Sequence, residues 1–118
     1  MFATNVYPEF LPDGDVLVAR IHGEIDHHSA KLLREETDHA LRCHRPTVLI
    51  LDLGGVTFMD SSGLGFVLGR VNTAEELGCR VEVHNAKERV RRILFMAGIS
   101  RMKGILVCEE KEEKGGNK

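Results

Sequence analysis

Two short polar segments hold the side chains of this chain that could do chemistry. In residues 58–65, Asp60, Ser61 and Ser62 stand between an apolar stretch and a helical pattern. The first turn of a helix carries free N–H groups and a partial positive charge, which tolerates a phosphate on a serine. The Asp60 carboxylate would oppose that phosphate. An ordinary helix cap explains the same residues, so both interpretations stand at this point.

The second polar segment, residues 23–30, reads GEIDHHSA. Asp26 and Ser29 offer the side chains that begin a helix. For Asp26, His27 and His28, the simplest interpretation is a solvated helix cap. The apolar positions that follow recur at helical spacing until Pro46, where the pattern ends.

Enzyme motifs fit these residues poorly. A nucleophile elbow needs a glycine two residues before its serine, where Met59 stands. A dinucleotide loop needs G-x-G-x-x-G, and Gly63, Gly65 and Gly69 miss that spacing by one. The chain has no Walker lysine motif, and no histidine occupies a recognisable triad position. We therefore expect no catalytic residue and no cofactor.

Metal binding is also not indicated by the pattern. Adjacent residues such as His27 and His28 cannot share a helix face, and His39 and His44 are five apart. Cys43, Cys79 and Cys108 are odd in number and widely spaced, without a C-x-x-C pair. This usage predicts three reduced thiols in a cytoplasmic protein and no metal site.

Composition narrows the function classes further. The chain has 118 residues, which is typical of one domain, and a net charge of -2. Without a basic excess or any Trp, nucleic-acid binding is not expected. The longest apolar run, residues 47–53, is far short of the ~20 residues of a membrane helix. The start lacks the pattern of a secretory signal, so we expect a cytoplasmic protein without membrane association.

The element pattern predicts an α/β fold. Residues 5–11 and 16–21 read as an antiparallel hairpin around a turn at 12–15, with Gly23 ending the second strand. Strands at 47–53, 80–84 and 104–108 then alternate with helices, the second capped near Asp60 and ended by Gly78, the third capped by Asn85. The order is ββαβαβαβ, with a mostly parallel central sheet and helices packed on it. Glycines in the second helix would let it approach the sheet. Residues 1–108 form the domain, and 109–118 are predicted to be a charged flexible tail.

Together the two polar segments support a resemblance to a known family. GEIDHHSA at 23–30, followed by LDLGGVTFMDSSGLGFVLGR at 51–70, closely resembles the anti-sigma factor antagonists. These are small STAS-domain proteins of Gram-positive bacteria. The paired histidines make the chain more similar to the sporulation members than to the general-stress members. The resemblance covers roughly residues 15–108 and implies a STAS-like single domain.

The resemblance implies a binding protein switched by phosphate. The unphosphorylated antagonist would bind an anti-sigma factor that is also a serine kinase, and so free the sporulation sigma factor. Phosphorylation of Ser61, the serine directly after the motif's aspartate, would release the partner. A serine phosphatase would then reset the protein. The chain itself would be a kinase substrate, without enzyme activity and a monomer when free.

The resemblance also implies a partner-binding surface. It comprises Glu24, Asp26, His27 and His28 from the first segment, and Met59, Asp60, Ser62, Gly63 and Leu64 from the second. Phe66 fits either a contact or the core. Family members usually end in a further helix, for which residues 109–118 offer little apolar surface. A STAS scaffold or ligand-binding module in another signalling pathway is the alternative.

Overall fold

The computed structural model describes residues 6–108, and the predicted tail at 109–118 lies outside them. The strands are β1 (Val6–Asp13), β2 (Val16–Ile25), β3 (Val48–Met59), β4 (Arg80–His84) and β5 (Ile105–Cys108). The helices are α1 (His27–His44), α2 (Ser61–Glu76) and α3 (Glu88–Met96), and a 3-10 turn at Ile99–Arg101 precedes β5. The predicted order of strands and helices is confirmed.

The strands form one sheet whose spatial order follows the chain. β1 runs antiparallel to β2, and β2 to β5 are mutually parallel. Successive right-handed crossovers in one direction place the helices on the same face of the sheet. Burial agrees, because Leu17, Leu49 and Val81 are fully buried on that face. We call the other face the open face; its side chains include those of Arg20, Asp52, Glu82 and His84, all partly or fully exposed.

Two bulges make β3 longer than predicted. The sequence pattern predicted that β3 ends at residue 53 and β2 at Gly23, and both boundaries are wrong. Buried positions in β3 follow at Leu49, Leu51, Leu53, Val56 and Met59, so the step changes from two residues to three. Both three-residue steps coincide with register shifts against β2. The pair of glycines at 54 and 55, which resembled a strand end, instead allows the strand to bulge and continue.

Close contact with β2 explains one of those glycines. A Cβ on Gly55 would lie 2.8 Å from Nδ1 of His22 and 3.0 Å from the Ile21 carbonyl oxygen. Gly23 has a φ of +104°, a conformation that favours glycine and is compatible with the irregular pairing there. The glycines therefore shape the pairing of β2 with β3.

The helix boundaries agree with the sequence except at α3. Asp26 and Asp60 cap α1 and α2, and Gly78 follows the end of α2 with a φ of +71°. The prediction that Asn85 caps α3 is wrong, because α3 begins at Glu88 after Lys87. Asn85 has a φ of +63°, and its Nδ2 donates to Oδ1 of Asp52 over 3.2 Å. The Asn85 side chain is thus committed to β3.

Only one glycine near the start of α2 brings the helix close to the sheet. A Cβ on Gly63 would overlap Cγ of Met59 and lie 3.0 Å from the Ile25 carbonyl oxygen. At Gly65 and Gly69 a Cβ would meet nothing within 4 Å. The predicted close packing is confirmed for Gly63 and wrong for the other two.

A buried ion pair joins α1 to α2. Nε of Arg70 lies 2.8 Å from Oδ1 of Asp38, and the Arg70 side chain is 4% exposed. Those two atoms are poorly aligned for a hydrogen bond, so their attraction is mainly coulombic. The other Arg70 nitrogens donate to Asp38 and to the Phe66 carbonyl, each over 3.3 Å. Burial lowers the pKa of Arg70, and Asp38 opposes that shift.

Across the described ranges, no helix has the length and apolar character needed to cross a membrane. The three cysteines are free thiols: Cys43 is exposed, Cys79 buried and Cys108 half-buried.

The ion pair predicts a strong asymmetry between single and double substitutions. Asp38→Asn leaves the buried Arg70 charge uncompensated and should lower the free energy of unfolding by about 3 kcal/mol. Adding Arg70→Met should recover most of that loss, because no buried charge then remains. Urea unfolding measures both variants. Additive losses in the double variant would contradict this account.

Gly63 and Gly69 form a matched pair for testing the close contact of α2. Gly63→Ala should lower the free energy of unfolding by roughly 1–3 kcal/mol, because the Ile25 backbone cannot give way easily. Gly69→Ala should stabilise by up to about 1 kcal/mol, since alanine favours helix and meets no neighbour. Urea unfolding gives both values. Equal effects at the two positions would show that the contact is not limiting.

Candidate functional site

The two polar segments meet at one edge of the sheet. Ile25 ends β2 and pairs with Met59, which ends β3. The Asp60 N–H donates to the Ile25 carbonyl over 3.3 Å. The starts of α1 and α2 therefore lie side by side, as expected where adjacent parallel strands present their carboxyl ends.

Asp26 is committed to capping α1. Its Oδ1 accepts from the backbone N–H groups of His28 and Ser29, each over 3.0 Å. Oγ of Ser29 accepts from the Asp26 N–H over 3.0 Å, which completes a capping box. Its hydroxyl also lies 3.0 Å from the Glu24 carbonyl oxygen. The Ser29 backbone bond is the main reason that the pKa of Asp26 lies below its ordinary value.

Asp60 does the same for α2 and leaves Ser61 exposed. Oδ1 of Asp60 accepts from the N–H groups of Ser62 over 2.8 Å and Gly63 over 3.2 Å. Ser61 is the first residue of α2, and its side chain is exposed. Within residues 6–108 its hydroxyl makes no hydrogen bond. The arrangement presents a hydroxyl to solvent on a fixed backbone, where an outside enzyme could modify it.

The other residues of the predicted partner surface divide into exposed and buried groups. His27 and His28 are exposed, with their rings edge to face at 5.7 Å. Glu24, Asp26, Asp60, Ser62 and Leu64 are half-buried. Met59 is 4% exposed, and Gly63 is buried above it. Met59 and Gly63 therefore support the site from below. Phe66 is 3% exposed and belongs to the core.

Near the site lies an exposed aromatic side chain, Phe58, that the sequence pattern did not predict to be there. Phe58 pairs with Glu24 in the sheet and is 43% exposed. The predicted end of β3 at residue 53 placed Phe58 outside any strand. Once β3 extends to Met59, the alternation of strand side chains turns Phe58 away from the buried Met59.

A basic groove between α1 and α2 was also missed. It has a volume of about 450 Å³ and is lined by His27, Ala30, Lys31, Arg34, Ser62, Gly65, Phe66, Gly69 and Arg70. Lys31 and Arg34 are three residues apart, so they share a helix face. That spacing was a usable signal. The contribution of Arg70 depends on the packing of α2 against α1, which no local pattern reveals.

A second cluster of polar side chains lies on the open face. Glu82, His84 and Cys108 each offer one possible metal ligand, and these atoms lie within 4.8 Å of one another. Neither the histidine spacing nor the cysteine spacing predicted a metal site, because both compare residues along the chain only. The three donors come from β4 and β5, 24 residues apart at the closest, so only strand pairing brings them together.

Residues 7–113 match the family model for the STAS domain, and the chain belongs to the STAS-domain family. Within the family, it is 37% identical over 84 residues to the anti-sigma F factor antagonist of Paenibacillus polymyxa, covering 71% of this chain and 72% of that protein. The predicted resemblance and the STAS-like α/β fold are confirmed.

Two solved structures have the same fold. The anti-sigma factor antagonist SpoIIAA in its unphosphorylated form superposes with a TM-score of 0.74 at 28% identity, over 92% of this chain and 91% of that one. The Bacillus cell fate determinant SpoIIAA in the phosphorylated form gives 0.69 at 27% identity, over 92% and 95%. This fold is thus compatible with both forms of that neighbour.

The capping role of Asp26 predicts a pH-dependent contribution to stability. The pKa of Asp26 is depressed in the folded state. The ionised carboxylate therefore stabilises the fold at pH values above 3.8, the ordinary pKa of the group. That contribution is lost as pH falls through the folded-state pKa. Asp26→Asn keeps a cap that does not titrate. The melting-temperature advantage of the natural chain over this variant should therefore shrink between about pH 6 and about pH 3. A constant difference across that range would contradict the assignment.

Proposed function

We propose that this protein is an anti-sigma factor antagonist controlled by phosphorylation of Ser61. In its unphosphorylated form it binds an anti-sigma factor that is also a serine kinase, and this frees the sporulation sigma factor. Phosphorylation of Ser61 by that kinase releases it, and a serine phosphatase restores the binding form. Membership of the STAS family and the names of the relatives support this proposal.

The observation that carries the proposal is the exposed Ser61 hydroxyl at the first position of a capped helix. The Asp60 carboxylate accepts hydrogen bonds from the N–H groups of the two residues after Ser61, and the Asp60 N–H donates to the Ile25 carbonyl. A kinase can therefore reach the hydroxyl without unfolding the helix. The partial positive charge of the helix start also favours the phosphate product by about 0.3–1 kcal/mol.

The partner-binding surface surrounds Ser61. Glu24, Asp26, His27 and His28 contribute from the start of α1, and Asp60, Ser62 and Leu64 from the start of α2. Met59 and Gly63, also expected in this surface, take part by holding the backbone in place, because both are buried. The exposed ring of Phe58 adds an apolar contact at the same edge.

Phosphorylation acts on this surface locally. It adds a charge of about -1.5 to -2 one residue from Asp60. At roughly 6 Å, repulsion per unit charge is about 0.7 kcal/mol in bulk water and about 3 kcal/mol at an effective dielectric of 20. The helix start offsets part of this cost. The domain need not unfold to accommodate the phosphate.

Loss of the partner needs little energy on this scale. A hundredfold weaker complex corresponds to about 2.7 kcal/mol. Burial of the phosphate against an acidic or apolar partner surface supplies that amount through charge and steric overlap. The two solved forms of SpoIIAA, both similar in fold to this chain, are consistent with a switch that leaves the backbone in place.

The test is phosphorylation and binding with the serine-kinase anti-sigma factor encoded in the same genome. With Mg·ATP, peptide mass spectrometry should find one phosphate on Ser61, and none in Ser61→Ala. With Mg·ADP, calorimetry should show that the natural chain and Ser61→Ala both bind. Phosphorylated protein should bind about a hundredfold more weakly, or worse.

Ser62→Ala is the matched control, because Ser62 is the half-buried neighbour in the same turn. It should still be phosphorylated on Ser61. Phosphate on Ser62 alone would overturn the assignment of the modified residue. Absence of both phosphate and complex would reject the antagonist function and favour a STAS scaffold in another signalling pathway.

A further inference from the structure

The cluster on the open face of the sheet brings together three side chains that no step of the proposed function uses. Glu82 and His84 are two residues apart on β4, so their side chains share a face. Cys108 pairs with His84 in the register of β5. Nε2 of His84 lies 2.9 Å from Oε1 of Glu82, and Sγ of Cys108 lies 4.0 Å from the same oxygen.

These three atoms form a donor set that suits zinc. Imidazole nitrogen, thiolate sulfur and carboxylate oxygen are its usual protein ligands. Bond lengths of about 2.0–2.3 Å in a tetrahedron separate the donor atoms by about 3.3–3.6 Å. The observed contacts of 2.9 and 4.0 Å straddle that range. The third separation, between the His84 nitrogen and the Cys108 sulfur, is at most 4.8 Å, so side-chain movements of about 1 Å would centre the three atoms on one ion.

The surroundings orient the donors. An Arg80 side-chain nitrogen lies 3.2 Å from Oε2 of Glu82, which leaves Oε1 directed at His84 and Cys108. All three donor residues are half-buried, so an ion can reach the cluster from solvent. The covered face carries α1 and α2, and the cluster is on the other side of the sheet.

We propose that Glu82, His84 and Cys108 form a binding site for one Zn²⁺ ion, with water as the fourth ligand. On binding, the Cys108 thiol gives its proton to solvent and its sulfur bonds to the metal. The ion would join β4 to β5, a four-residue strand whose described pairing is with β4 alone. Because the ligands come from two strands, binding should stabilise the folded chain.

The test uses the full-length, reduced protein and Co²⁺ as a spectroscopic substitute for zinc. The natural chain should bind one Co²⁺ with a thiolate-to-cobalt charge-transfer band, and excess Zn²⁺ should remove that band. Cys108→Ser should lose the band, while Glu82→Gln and His84→Ala should weaken Co²⁺ binding by about tenfold or more. Circular dichroism establishes that each variant is folded. Zn²⁺ should raise the melting temperature of the natural chain but not of Cys108→Ser.

Cys43→Ser is the matched control. Cys43 is an exposed thiol whose sulfur lies 3.5 Å from Nε2 of His39 on the same helix, so it offers a competing pair of donors. This variant should keep the band and the stabilisation by Zn²⁺. Loss of the band in Cys43→Ser, its persistence in Cys108→Ser, or its absence from the natural chain would each overturn the proposal. None of these measurements depends on the anti-sigma factor.

Discussion

The position of Gly63 against the end of β2 is the contact on which the candidate site depends. A side chain there would collide with the Ile25 carbonyl and with Met59, so only glycine lets α2 begin so close to the sheet. This contact and the Asp60–Ile25 hydrogen bond fix the level of Ser61 relative to α1. The two bulges in β3 are the other half of the constraint. The bulges extend β3 so that its last residue, Met59, pairs with Ile25. Without them, the starts of α1 and α2 would not lie at the same edge position.

The site is built mainly from backbone geometry. Both aspartates at this edge use their carboxylates to accept hydrogen bonds from backbone N–H groups. Their main effect is therefore to fix the helix starts, and less to present negative charge to a partner. What remains outside is Ser61, the histidines at 27 and 28, and the basic groove between α1 and α2. In each segment, the residue that caps the helix is therefore followed directly by a residue exposed to solvent. A substitution of Asp60 would affect the folding of α2 as well as any partner.

Element order was predictable because apolar periodicity and cap residues are local signals. The alternation at 80–84, the apolar run beginning at 47 and the caps at Asp26 and Asp60 all have their effect within one or two turns of chain. The predictions were wrong where a residue distant in the sequence determines the local structure. Gly54 and Gly55 resemble a strand end, but β2 holds them in a bulged strand, and Asn85 resembles a cap but bonds to Asp52. The basic groove and the Glu82, His84 and Cys108 cluster needed the tertiary structure, since their members come from separate elements.

The placement of Ser61 has a consequence for how any modifying enzyme must recognise it. Its hydroxyl occupies the first position of a helix whose start exists only when Gly63 rests on β2 and Asp60 caps the turn. A short peptide with the same letters would lack that backbone, because an isolated helix start of a few residues is unstable in water. An enzyme that recognises the folded start of α2 would therefore not recognise an unfolded or newly synthesised chain, which carries the same serine without that conformation.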